Sequence, residues 1–192
     1  MCEETLLLEE LRTNPRGFWD ALKADRLLKA YWQGASVETL RPSLFHTDPS
    51  AQQVVAYVLS ELGALATPLV EDAVCLLKSE QPRVRHAVLE AITVCAHGSL
   101  AHLFAHVLYA LREEPQPLRK WIMVLTSNAT REQIVEGAHA LCVDGKFTSH
   151  QADDVVRICC DLVQLDKIVL LVQASDVFIR CLGLIAIVRS RN

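Results

Sequence analysis

The chain has 192 residues and few that turn a backbone sharply. It holds seven glycines and seven prolines, and aromatic side chains make up 6% of it. An all-β fold needs turn residues more often than that. The glycine shortage also removes phosphate-cradling loops: the sequence contains no P-loop and no GxGxxG, and no GxSxG elbow either. The seven cysteines (Cys2, Cys75, Cys95, Cys142, Cys159, Cys160, Cys181) include no CxxC pair. The expectation is buried, reduced thiols in a cytoplasmic protein. Adjacent cysteines such as Cys159 and Cys160 bridge only with strain. No secretory signal is visible, because Leu6–Leu8 is too short for an apolar signal core and acids flank it. The longest apolar stretch, Val177–Val188, is interrupted by Arg180 and falls short of the roughly 20 residues that span a bilayer. Basic residues are also in deficit, 19 Lys and Arg against 23 Asp and Glu, for a net charge of −4. That argues against sequence-independent nucleic-acid binding, which depends on clustered cations.

What is present points to helices. Half of the residues are apolar and 22% are charged, a balance that buries a core and opposes disorder. The segments Asp48–Leu62, Glu80–Cys95 and Glu114–Thr126 read alike, and so, more loosely, do Ser149–Val163 and Asp176–Val188. Their period of about 33 to 35 residues is that of an α-solenoid of stacked helix pairs. Before them, Glu3–Arg12 predicts one helix, and Asn14-Pro15 opens a second that carries Phe18, Trp19, Leu22, Tyr31 and Trp32 and stops at Gly34. Residues 1–47 read as an N-terminal helical cap and 48–192 as the repeats. Asp48-Pro49 caps the first repeat helix, and Thr67-Pro68 and Ser99 are expected to open the second helices. Thr130–Cys142 and Asp166–Ala174 are the later second helices, and Asp176–Val188 ends the series.

The first helices resemble those of HEAT repeats. Glu80-Gln81-Pro82-Arg83-Val84-Arg85, Glu114-Pro115-Gln116-Pro117-Leu118-Arg119 and Asp176-Val177-Phe178-Ile179-Arg180 each place an acid in the turn, then a hydrophobic-Arg pair in the helix. Gln52 and Asp153 stand where Arg is expected in the other two. The resemblance implies an all-α fold, a right-handed α-solenoid of about five stacked antiparallel helix pairs. An irregular helical bundle is the alternative. It also implies that the turn acids and the arginines form a ladder of charge-assisted hydrogen bonds.

In HEAT-like arrays the second helices line one face that binds partners. Here the polar stripes of those helices hold Glu71 and Asp72, then His102, His106, Tyr109 and Glu113, then Glu132, Glu136 and His139, at helical spacing. Together they predict an acidic, histidine-bearing band for a protein partner with a basic surface. His102 and His106 lie four apart, but no HExxH follows, so no metal and no cofactor is expected. The last helix is apolar around most of its circumference, which makes Phe178, Leu182 and Ile185 candidates for a homodimer or partner contact, burial by neighbours being the other outcome. No catalytic set is apparent. The expected activity is a non-catalytic protein-protein interaction module, scaffold, adaptor or immunity-type inhibitor. HEAT-like bilin lyases, and HEAT-like DNA-repair proteins with a basic face, are the alternatives the resemblance brings.

Overall fold

A computed structural model describes residues 3–20, 23–161 and 164–191. Leu22, Val163 and Cys2 lie outside the described residues. Among the described residues the chain is helical throughout, with no strand. It separates into two compact units, Met1–Cys95 and Ala96–Asn192.

The first unit runs α1 (Glu3–Thr13), α2 (Pro15–Asp20), α3 (Lys23–Trp32), a 3-10 helix (Val37–Phe45), α4 (Pro49–Leu62), a 3-10 helix (Gly63–Leu69), α5 (Val70–Ala73), a 3-10 helix (Val74–Lys78) and α6 (Pro82–Cys95). Local chemistry sets several ends. Asn14 Oδ1 accepts from the Gly17 N–H at 3.1 Å. Asp48 accepts from the N–H groups of Ser50 and Ala51 with Pro49 at the first helical position, a cap worth about 1 kcal/mol. Gly34 stops α3 with φ of 102°, a conformation open to glycine. The core lies between α4 and α6: Val55, Leu59 and Leu62 have as their counterparts Val88, Ile92 and Cys95, all buried. α2 and α3 cover α4 from another side. Phe18 and Tyr31 are buried there, and Trp19 meets Tyr57 edge-on at 5.8 Å.

The second unit runs from a 3-10 helix (Gly98–Phe104) through α7 (Ala105–Glu113), α8 (Leu118–Asn128), α9 (Arg131–Val143), α10 (Ser149–Cys160) and α11 (Leu165–Val172) to α12 (Val177–Arg189). α9 packs on Gly98–Phe104, α7 and α10; α7 packs on α8; α10 and α11 pack on α12. α12 also packs on α8. In an array where each repeat touches only the next, it would not. The last helix thus returns to a helix two pairs earlier.

The elements expected to open at Thr67 and Ser99 begin earlier, whereas α9 is capped at Thr130 as the sequence predicts. Thr67 and Ser99 are not caps. The chain turns at Gly63 (φ 57°) and Gly98 (φ 56°), and each glycine starts a 3-10 helix of seven residues. Thr67 Oγ1 instead donates to the Ala64 carbonyl at 2.7 Å. A three-residue turn puts about every third side chain inward. Ala66 and Leu69 are therefore buried in one segment, as Ala101 and Phe104 are in the other. Gly63 breaks the run Pro49–Lys78, which is long enough for a membrane span and contains an 18-residue window of mean hydropathy 1.4 but is not one continuous α-helix.

The motif arginines also bond to main-chain carbonyls, which the sequence did not announce. Arg85 Nη1 donates to the carbonyls of Ser79 (2.9 Å) and Glu80 (3.2 Å). Arg180 Nη1 donates to those of Ala174 (2.6 Å) and Ser175 (2.8 Å). Arg119 Nη2 reaches the Arg112 carbonyl at 3.2 Å. Gln52, where Arg was expected, makes the same bond to the His46 carbonyl at 3.2 Å. The element these side chains share is a main-chain acceptor. Carbonyls just before a helix lack intrahelical donors, and a planar guanidinium or amide satisfies them. Asp153 does not join this set. α10 is fixed instead by a capping box of Thr148 and Gln151, as α9 is by Thr130 and Gln133.

Candidate functional site

Glu71 and Asp72 belong to the first unit, and the other residues of the predicted band belong to the second. Several are already neutralised. Asp72 is ion-paired with Arg41, which also donates to the Pro68 carbonyl. Glu113 lies 3.4 Å from Arg112 Nε. Tyr109 has the Lys146 ammonium over its ring, 5.4 Å from the centroid. These contacts, and an Arg112 bond to the Lys146 carbonyl, fasten α7 to the turn between α9 and α10. Glu71 remains exposed.

The histidines divide by burial. His102 is exposed, and its Nδ1 faces the Ser99 carbonyl at 2.9 Å. His106 is half-buried, and burial pushes its pKa below the usual value; Asp144 works against that shift and His102 adds to it. Among the described residues no three histidine, cysteine or carboxylate side chains converge as metal ligands. Burial raises the pKa of Cys75, Cys95, Cys160 and Cys181 and lifts that of Cys159 to about 12, which leaves these five thiols poor nucleophiles.

Glu132, Glu136 and His139 hold one exposed stripe on α9. His139 lines a groove of about 490 Å³ between α9 and α10, whose other polar walls include Ser149, Asp153, Arg157 and Asp161. Arg157 is bound to Asp154 at 2.5 Å and Asp161 to Arg131 at 2.8 Å. Glu132, Glu136 and Asp153 form no ion pair among the described residues. Asp153 was visible in the sequence only as the wrong residue for an arginine position, and that was the signal for it.

Of the two outcomes for the C-terminal helix, Leu182 and Ile185 take burial by neighbours. Leu182 and Ile185 are fully buried, at 0% exposure, and Phe178 is half-buried with its ring 5.6 Å from that of Phe147. α8, α10 and α11 pack on α12, and Ile185, though buried, also borders the groove between α8 and α12. The outward stripe of α12 consists of Leu184, Ile187 and Val188, which with Met123 and Val124 of α8 line a second groove of about 500 Å³.

Compared with protein-family models, curated proteins and solved structures, the chain matches none of them.

Proposed function

We propose that this chain is a non-catalytic protein-interaction module of HEAT-like helix pairs, which binds a basic protein surface through the face formed by α9 and α10. The observation that carries the reading is the set of exposed carboxylates Glu132, Glu136 and Asp153 beside the α9–α10 groove, left without internal cations while Asp72 and Glu113 of the predicted band are paired. An exposed cluster of one sign steers and orients an oppositely charged partner. The HEAT-like arrangement draws support from the recurring glycine-led 3-10 helices and the recurring side-chain bonds to turn carbonyls. The return of α12 to α8 marks where a regular right-handed array would give way to bundle packing. Free thiols fit a cytoplasmic setting.

The test is an affinity pull-down from native lysate with the tagged chain, beside a Glu132→Lys/Glu136→Lys variant. The expected result is a stoichiometric partner with a basic surface, lost with the variant. Equal recovery by both baits assigns the carboxylates to a solvated surface and removes the reading. A dissociation constant in the nanomolar range or tighter would favour an inhibitor over an adaptor.

A further inference from the structure

The groove between α8 and α12 has a chemistry opposite to that of the α9–α10 face. Its floor is apolar: Met123 and Val124 on α8, Leu184, Ile187 and Val188 on α12. Val124 is 53% exposed, Leu184 40% and Val188 47%. Trp121, one turn before Val124, is 60% exposed. Apolar side chains of this size, contiguous and open to water, mark a surface that associates.

The charge on the two helices that form the groove is of one sign. Neither α8 nor α12 contains an acidic residue, in a chain where acids outnumber bases. Of their cations, Arg119 and Arg180 are tied to main-chain carbonyls. Arg189 reaches the carbonyls of Thr126, Ser127 and Ala129, which brings the C-terminal ends of the two helices together. That leaves Lys120 lining the groove near the start of α8, and exposed Arg191 just beyond α12, following Leu184, Ile187 and Val188 at helical spacing.

From this geometry we propose that the α8–α12 groove is a docking site for an amphipathic helix of another protein, with acidic residues flanking its apolar stripe. An apolar trough between two helices accepts the i, i+3, i+4, i+7 face of a third. The cations Lys120 and Arg191 sit where acids at the two ends of such a helix would meet them, and lysine-flanked helices are disfavoured by like charge. The groove does not share the carboxylates of the α9–α10 face, so this site stands or falls independently of the proposed function.

The experiment uses the full chain and two synthetic amphipathic helices of about four turns, identical in their leucine stripe and differing only in glutamate or lysine flanks, with binding read by fluorescence anisotropy. The glutamate peptide is expected to bind at least about tenfold more tightly than its lysine twin, an advantage that added salt erodes. Val124→Glu, at an exposed position, is expected to abolish binding. Lys120→Glu should narrow or reverse the preference, and Glu132→Lys/Glu136→Lys should leave it intact. Equal binding of the two peptides, no binding of either, or binding indifferent to Val124→Glu would overturn the proposal. So would concentration-dependent dimerisation of the chain that Val124→Glu abolishes and that the glutamate peptide does not compete with, since the occupant would then be a second copy.

Discussion

Gly137 lies where α9 crosses the chain entering α7, and the crossing is close because glycine has no side chain. A Cβ there would come within 2.9 Å of both the Ala105 nitrogen and the Phe104 carbonyl carbon. These are backbone atoms and cannot swing aside. In an open helix, Gly→Ala gains about 1 kcal/mol. Here the overpacking cost of about 1–3 kcal/mol wins. Gly137→Ala is therefore expected to lower the urea midpoint of unfolding, and a raised midpoint would show that the two backbones have room to separate. His106 makes a second residue-scale prediction. Its folded pKa is depressed, chiefly by burial, with His102 adding to the shift and the Asp144 carboxylate opposing it. The neutral imidazole is thus favoured in the folded state. Its contribution to stability is complete above the unfolded value near 6.5 and is lost as pH falls through the lower folded value. Urea midpoints measured between pH 7.5 and 5.5 should fall for the parent chain and fall less for His106→Gln. Parallel curves would mean that His106 titrates as if in water.

At the scale of elements, Arg189 joins two helices. Its Nη1 donates to the Ala129 carbonyl at 2.6 Å and the Ser127 carbonyl at 3.1 Å, with the Thr126 carbonyl at 3.4 Å, where α8 ends and its last carbonyls lack the i+4 donors of a continuing helix. A cation at the negative end of the helix dipole adds to the bonds. Arg189→Met keeps the apolar stem and removes the bonds, so a loss of about 2 kcal/mol is expected on denaturant unfolding. Arg189→Lys should recover part of it, since an ammonium cannot span the carbonyls as a guanidinium does. This contact was not legible in the sequence, because α8 and Arg189 lie far apart along the chain. α4 was legible, since Asp48-Pro49 states its own cap and Val55, Leu59 and Leu62 keep helical period. Gly63 and Gly98 were not legible as starting points. Their role as first residues of 3-10 helices depends on positive φ, which composition does not announce. The stripe on α9 was legible from spacing alone. The loss of Asp72 from the acidic band was not, because its partner Arg41 comes from a different element.

For the whole molecule, the division between Cys95 and Ala96 makes a claim about folding. The second unit closes on itself. α9 is held by Gly98–Phe104, α7 and α10, and α12 is held by α8, α10 and α11. Phe104, Val107, Leu108, Ile122, Ile134, Val155, Leu182 and Ile185 are buried within its helices. In an open repeat array, removing half of the helices strips a neighbour from the next repeat and frays it. A unit in which the last helix packs back on an earlier one keeps its long-range contacts, and a chain of this size is within the range of independent domains. A fragment of residues 96–192 is therefore expected to show helical circular dichroism and a single cooperative thermal transition. A broad transition with dye-binding apolar surface would mean instead that this half needs the first unit to complete its core. In the expected case the same fragment carries both the α9–α10 face and the α8–α12 groove, so the two proposed bindings become measurable on one small domain, each with its own charge-reversed control.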